Sequence, residues 1–265
     1  MASTFKDIKP SDRVSTRTLL HESIPLTGTI ISGTYGTFPN EGNIKNFSHG
    51  MFQSVYDYPY LSSSANHIFD ITCGYSSDSI LVNTANSQNS KKKNIYNQMA
   101  QVCVGYDITG SVLRFDEDGD ILAGGRKIKE GYFLNFTRLL VKDEIKKGTV
   151  SLTVGVTASF NTPFASKVTI TDAGGVNDYR VNSPVGEYGV LYAAGTAINA
   201  TASAYSATYS GAAVGLVFYQ AGVMVLSASL FNNEADGGVL TTACGSSFMN
   251  ITGDKIAASL TGSEI

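Results

Sequence analysis

From Thr149 to Thr157 polar and apolar side chains alternate without a break. Val150, Leu152, Val154 and Val156 fall on one parity, and Ser151, Thr153, Gly155 and Thr157 on the other. A period of two is the signature of a strand with one buried face, whereas a helical face returns about every 3.6 residues. Further strand-like runs occupy residues 67–75, 112–115, 132–138, 168–171, 179–182, 188–192, 214–219 and 223–229. Gln220-Ala221-Gly222 separates the last two and suits a short hairpin connection. Short strands at roughly ten-residue spacing predict a mainly β fold, an antiparallel sandwich or barrel-like core.

One segment breaks this rhythm. Ile95, Met99, Val102 and Cys103 recur at helical spacing, which predicts a helix over 90–103 capped by Asn89 or Ser90. Lys91-Lys92-Lys93 then reads as its solvated start. A short helical turn over 142–147, with opposite charges one turn apart, is expected to stop at Gly148. The core therefore carries one or two short helices.

Two stretches show neither period. Residues 1–65 scatter apolar side chains among Ser, Thr, Gly, Pro and Asn, and only 14–20 looks like a strand. Such a stretch is either disordered or an extended arm lying on a partner. Phe47, Met51, Phe52, Tyr56, Tyr58 and Tyr60 favour the arm, because disordered tails are poor in aromatics. The division is thus an arm over 1–65 and a β-rich core over 66–265. Within the core, residues 193–213 are nearly all Ala, Gly, Ser, Thr and Tyr. They form either a mobile loop or one ordered by another subunit.

Composition narrows the function. Charged residues make up only 15% of the chain and the net charge is −3. Lys91 to Lys93 is the one dense basic run, so no basic face for nucleic acid is expected. No apolar run reaches the length of a membrane span. The N-terminus lacks a charged-then-apolar leader pattern. Weakly charged surface is instead cheap to bury against another protein. Cys73, Cys103 and Cys244 have neither disulfide-framework nor zinc spacing and read as small apolar fillers in a reducing compartment.

The search for chemistry yields little. His21, His49 and His67 are far apart, without metal-ligand spacing. Asp116-Glu117-Asp118-Gly119-Asp120 is the one sharp acidic cluster, and clustered carboxylates bind Ca²⁺. A helix–loop–helix calcium loop needs Gly sixth and Glu twelfth, but those positions hold Ile121 and Lys127. The cluster therefore reads as an acidic turn. Gly124-Gly125-Arg126-Lys127 lacks the Gly-Lys-Ser/Thr ending of a phosphate loop, and no Gly-x-Ser-x-Gly elbow occurs. Asp70, Asp172, Glu187 and Asp236 are lone carboxylates that only the fold can pair. No catalytic residue, cofactor or metal site is expected.

Four segments resemble structural proteins of large contractile-tailed marine phages, especially those infecting cyanobacteria. They are Tyr60-Leu-Ser-Ser-Ser-Ala-Asn-His-Ile-Phe69 with Gly74 after it; Tyr132-Phe-Leu-Asn-Phe-Thr-Arg138 followed by Lys142-Asp-Glu-Ile-Lys-Lys-Gly148; Gly186-Glu-Tyr-Gly-Val-Leu-Tyr192; and Gly215-Leu-Val-Phe-Tyr-Gln-Ala-Gly-Val-Met-Val-Leu226. Their order resembles that family from about residue 44 to residue 231, and none is a catalytic motif. The resemblance implies a virion subunit of the baseplate or tail region, assembled in the host cytoplasm with other virion structural proteins as a homo-oligomer or symmetric hetero-assembly. Neck or fibre attachment is an alternative, and a carbohydrate- or receptor-binding β module another. The interface is expected at Phe47, Met51, Phe52, Tyr56, Tyr58 and Tyr60, with Tyr205 and Tyr209 of the small-residue segment.

Overall fold

Among the described residues the protein is mainly β with one α-helix. The computed structural model describes the backbone of Ser23–Ile24 and residues 42–48, 50–82, 88–122, 124–137, 140, 143–157, 165–242 and 244. The strand expected over 14–20 lies outside the described residues, as do His21 and His49.

The elements in chain order are β1 (Ser23–Ile24), β2 (Ile44–Asn46), β3 (Gln53–Tyr56), β4 (His67–Tyr75), α1 (Asn89–Cys103), β5 (Glu130–Asn135), β6 (Glu144–Ile145), β7 (Ser151–Gly155), β8 (Lys167–Thr171), β9 (Arg180–Ser183), β10 (Gly186–Ala194), β11 (Tyr205–Ser206), β12 (Gly211–Phe218) and β13 (Val223–Ser227). One antiparallel sheet runs β2-β3-β4-β5-β13-β12-β10-β8-β7, with β9 on β10 and β11 on β12. β1 and β6 form a separate parallel pair.

The central strands are buried on both faces, and their alternation sorts side chains into two cores. Cys73, Tyr132, Leu134, Leu191, Ala193, Val214, Met224 and Leu226 belong to one. Phe133, Tyr188, Val190, Leu216, Phe218, Val223 and Val225 belong to the other, with Ile95, Tyr96, Ala100 and Cys103 of α1. The sheet is thus sandwiched between two apolar layers, which explains the continuous apolar runs in β12 and β13. On the α1 side Tyr96, Phe115, Phe133 and Phe218 pack ring against ring, with centroids 5.6–6.1 Å apart. The Tyr96 hydroxyl donates to the Ile128 carbonyl at 2.5 Å, which lets a polar tip sit in that layer.

Gly74 sets how close α1 lies. A β-carbon there would stand 2.6 Å from the Lys92 carbonyl oxygen and 2.9 Å from the Tyr96 nitrogen. Only a residue without a side chain lets helix backbone touch strand backbone here. One consequence corrects the sequence reading: Lys92 is not solvated but 0% exposed. The helix start also differs, since Gln88 is the cap residue and makes no side-chain cap bond.

Other expectations shift for identifiable reasons. Within the arm expected over 1–65, Ile44–Asn46 and Gln53–Tyr56 join the sheet, as β2 and β3 beyond β4. In place of the helical turn expected over 142–147, the described residues of that segment form the two-residue strand β6, Glu144–Ile145. Ile145 is wholly buried, and Lys147 pairs with Glu144 and with Glu187 of β10. Gly148 nevertheless takes the left-handed conformation expected of it, at φ 73°. Residues 112–115 make only an isolated bridge, Tyr106 to Val112.

The small-residue segment is ordered by its own chain. Ala193, Ile198, Ala202, Ala212 and Ala213 are buried. The Asn199 amide donates to the Val239 carbonyl, and the Thr241 amide to the Ala197 carbonyl. Small side chains here permit close packing beneath β12 rather than freedom.

Candidate functional site: an aromatic sheet edge and an acidic loop

β2 ends the sheet among the described residues, and the expected interface aromatics gather at its two ends. In the turn from β2 to β3, Phe47 and Phe52 pack with centroids 4.8 Å apart, and the Lys45 ammonium lies 5.2 Å from the Phe47 ring centre. Met51 in the same turn is 44% exposed. At the other end Tyr56 meets Tyr60 at 6.3 Å and the His67 ring edge-on at 5.5 Å. Tyr58 is half-buried nearby, while Tyr60 and its neighbour Leu61 are exposed.

Polar pairs hold this edge in register. Gln53 donates its side-chain amide to Asn46, and the Ser54 hydroxyl donates to Asp70 at 2.5 Å. Asp70 also lies 2.8 Å from the His67 ring nitrogen, so that carboxylate is committed to holding β3 on β4.

Tyr205 and Tyr209 are elsewhere, with β4, β5 and β13 between β3 and β12. Tyr205 pairs with Ala212 and leans on the core. Tyr209 stacks on Tyr192 at 4.6 Å and donates its hydroxyl to Asp178 at 3.1 Å. Both are engaged within the chain, so the structure joins six of the eight expected residues and leaves these two apart.

The acidic cluster forms a loop closed by the bridge between Asp116 and Lys127. One oxygen each from Asp116, Asp118 and Asp120 lie within 4.8 Å of one another, gathered around Gly125. Such oxygens can hold a cation, and the chain supplies one. The Lys127 ammonium sits 2.7 Å from Asp116 Oδ2 as an ion pair, 3.9 Å from Asp120 Oδ1, and donates to the Ile121 carbonyl at 3.1 Å. The twelfth position, where a calcium loop would add a carboxylate, thus adds a positive charge.

Burial, reinforced by the neighbouring Asp118, pushes the Asp116 carboxyl up to about 6. The hydrogen bond from Asp116 holds Asp118 below the usual range. Beside them Glu117 is buried against Arg126 Nε at 2.6 Å and the Ser229 hydroxyl at 2.6 Å. Arg126 continues to the Ser203 hydroxyl and the Gly237 carbonyl, tying the loop to the small-residue segment.

A second carboxylate group is equally committed. Asp172 is buried and accepts from the Gly148 amide at 2.6 Å, the Val150 amide at 3.0 Å and the Tyr219 hydroxyl at 3.0 Å. Burial raises its carboxyl despite those donors. The Lys147 ammonium lies between Glu144 and Glu187 and over the rings of Tyr179 and Tyr219, at 5.0 and 5.4 Å. Burial alone would lower the Lys147 ammonium, but the Glu187 and Glu144 carboxylates outweigh it and hold it above its ordinary value. Tyr219 and the Lys147–Glu187 pair were not legible because the partners are remote in sequence, and Lys127 and Arg126 were not because only the closure of the loop turns them onto Asp116 and Glu117.

No helix among the described residues is long and apolar enough to cross a membrane. Comparison with protein-family models, curated proteins and solved structures finds no match.

Proposed function

We propose that this protein is a structural subunit of a tailed-phage virion, in the baseplate or tail region, that acts by protein–protein assembly. The observation that carries the reading is the β2–β3 edge. It combines the strand that ends the sheet among the described residues with Met51, Tyr60 and Leu61 on the surface and aromatic pairs around them. Exposed sheet edges are templates for adding a further strand, and aromatic side chains with methionine are the residues enriched at interface cores. The resemblance of four segments to contractile-tailed phage proteins supplies the particle. The commitment of Asp70, Glu117 and Asp172 to internal partners also favours a structural role. The test is sedimentation of the purified chain alone and with the other structural proteins of its particle, with cross-linking to locate contacts. Cross-links concentrated on residues 44–61 support the proposal; contacts confined to other faces count against it.

A carbohydrate-binding module is the second reading, and one observation favours it. The acidic loop lies beside Tyr192, Tyr209, Asp178 and Arg180, so tyrosines and carboxylates do gather in one region. A glycan array with the wild-type chain and Tyr209→Ala distinguishes the two readings.

A further inference from the structure

Lys92 and Cys73 are both 0% exposed, and the Lys92 amine lies 3.0 Å from the Cys73 sulfur. The contact follows from the fold. Gly74 lets the α1 backbone lie against β4, and Lys92, in the first turn of α1, is buried with its side-chain nitrogen at the sulfur of the residue before Gly74. Cys73 is in no disulfide. Burial raises its thiol, and the Lys92 side-chain nitrogen donates to the sulfur.

We propose that Cys73 and Lys92 are a modification site, joined by dioxygen into a covalent nitrogen–oxygen–sulfur bridge that staples α1 to β4. The N–O and O–S bonds form while one N–H, the S–H and the O–O bond break. The two hydrogens leave with the second oxygen as water, so that amine, thiol and dioxygen give the bridge and one water. Nitrogen and sulfur each give up two electrons, and dioxygen takes all four. A single bridging oxygen fits the observed separation with little movement, whereas a direct N–S bond would require the two atoms to close substantially. Dioxygen is small and apolar enough to reach a buried pair through local opening, and thiol-containing reductants reverse oxidised sulfur of this kind.

The test uses the full wild-type chain, incubated in air, denatured with a thiol-alkylating reagent present, and digested for mass spectrometry. The expected product is a joined peptide holding Cys73 and Lys92, heavier than the two separate peptides by one oxygen less two hydrogens and lost on treatment with dithiothreitol. Three outcomes overturn the proposal: quantitative alkylation of Cys73, oxidation of Cys73 alone to the sulfinic acid, or a joined peptide without the extra oxygen. As a second measurement, dithiothreitol should lower the thermal midpoint of the aerobic wild-type chain and leave that of Lys92→Met unmoved. An unmoved wild type counts against the staple.

Discussion

Substituting Gly74 by alanine tests the contact on which the helix placement depends. The new β-carbon would stand 2.6 Å from the Lys92 carbonyl oxygen, 2.9 Å from the Tyr96 nitrogen and 3.3 Å from the Tyr96 β-carbon. Ordinary contact begins near 3.4 Å, so the helix must retreat by about 0.8 Å. The two nearest atoms are backbone and cannot rotate aside. Retreat loosens Ile95, Tyr96 and Ala100 against the sheet, since all three are buried in that layer. Overpacking of this kind costs about 1–3 kcal/mol, and rigid neighbours place Gly74→Ala at the upper end, about 3 kcal/mol. For a chain of this size that corresponds to a fall of roughly 5–10 °C in midpoint. Urea denaturation followed by far-ultraviolet circular dichroism reads the change as a lower midpoint at unchanged slope. Gly124→Ala is the control. No atom of the described residues lies within 4 Å of its β-carbon position and its backbone is not left-handed, so a gain of about 0.4–1 kcal/mol is expected from the stiffer unfolded chain. Equal stability of Gly74→Ala and wild type would refute the close helix–strand contact.

Further outcomes follow from the buried polar groups and the edge. Lys127→Met leaves the acidic loop without its cation; the expected loss is about 2–3 kcal/mol at pH 8, below the full cost of breaking a buried pair because the lysine is partly exposed. The Asp116 carboxyl titrates in the fold near 6, above its unfolded value, so its neutral form stabilises the fold at low pH and that contribution is lost as pH rises through 6. The Lys127→Met deficit should accordingly shrink as pH falls below 6, and a deficit constant from pH 5 to 8 would contradict this. Tyr219→Phe removes one of three donors to the buried Asp172 and should cost about 1–3 kcal/mol in urea denaturation, with an unchanged midpoint as the contrary result. Replacing Met51, Tyr60 and Leu61 together by serine should leave the circular dichroism and the midpoint nearly unchanged, because these side chains are exposed, while weakening association with the partner proteins.

How much of this was legible in the sequence depended on what held each element. β7, β8, β10, β12 and β13 announced themselves because apolar burial drives them, either alternating as from Val150 to Val156 or continuous as in β12. α1 announced itself by spacing. β2 and β3 did not, because polar bonds hold them: Gln53 and Ser54 are buried through Asn46 and Asp70 rather than through apolar surface. The segment over 142–147 misled because its charge spacing fits a helix, while Glu144–Ile145 form a strand in which Ile145 is buried and Lys147 reaches the distant Glu187. The acidic loop is visible as a cluster in the sequence, and its twelfth residue is a lysine. That the ammonium turns back among the carboxylates is a property of the loop closure alone. The burial of Lys92 against Cys73 likewise joins residues nineteen positions apart, and no local pattern encodes it.

The most direct test of the assembly role is the content of purified particles. Cells producing the particle would carry either the wild-type chain or the Met51, Tyr60 and Leu61 triple-serine chain, and the amount of each chain in purified particles would be quantified by mass spectrometry. The account predicts that the wild type is recovered in fixed ratio to the other structural proteins and the folded triple variant is largely excluded. Equal recovery of both chains, or absence of the wild type from the particles, would contradict it.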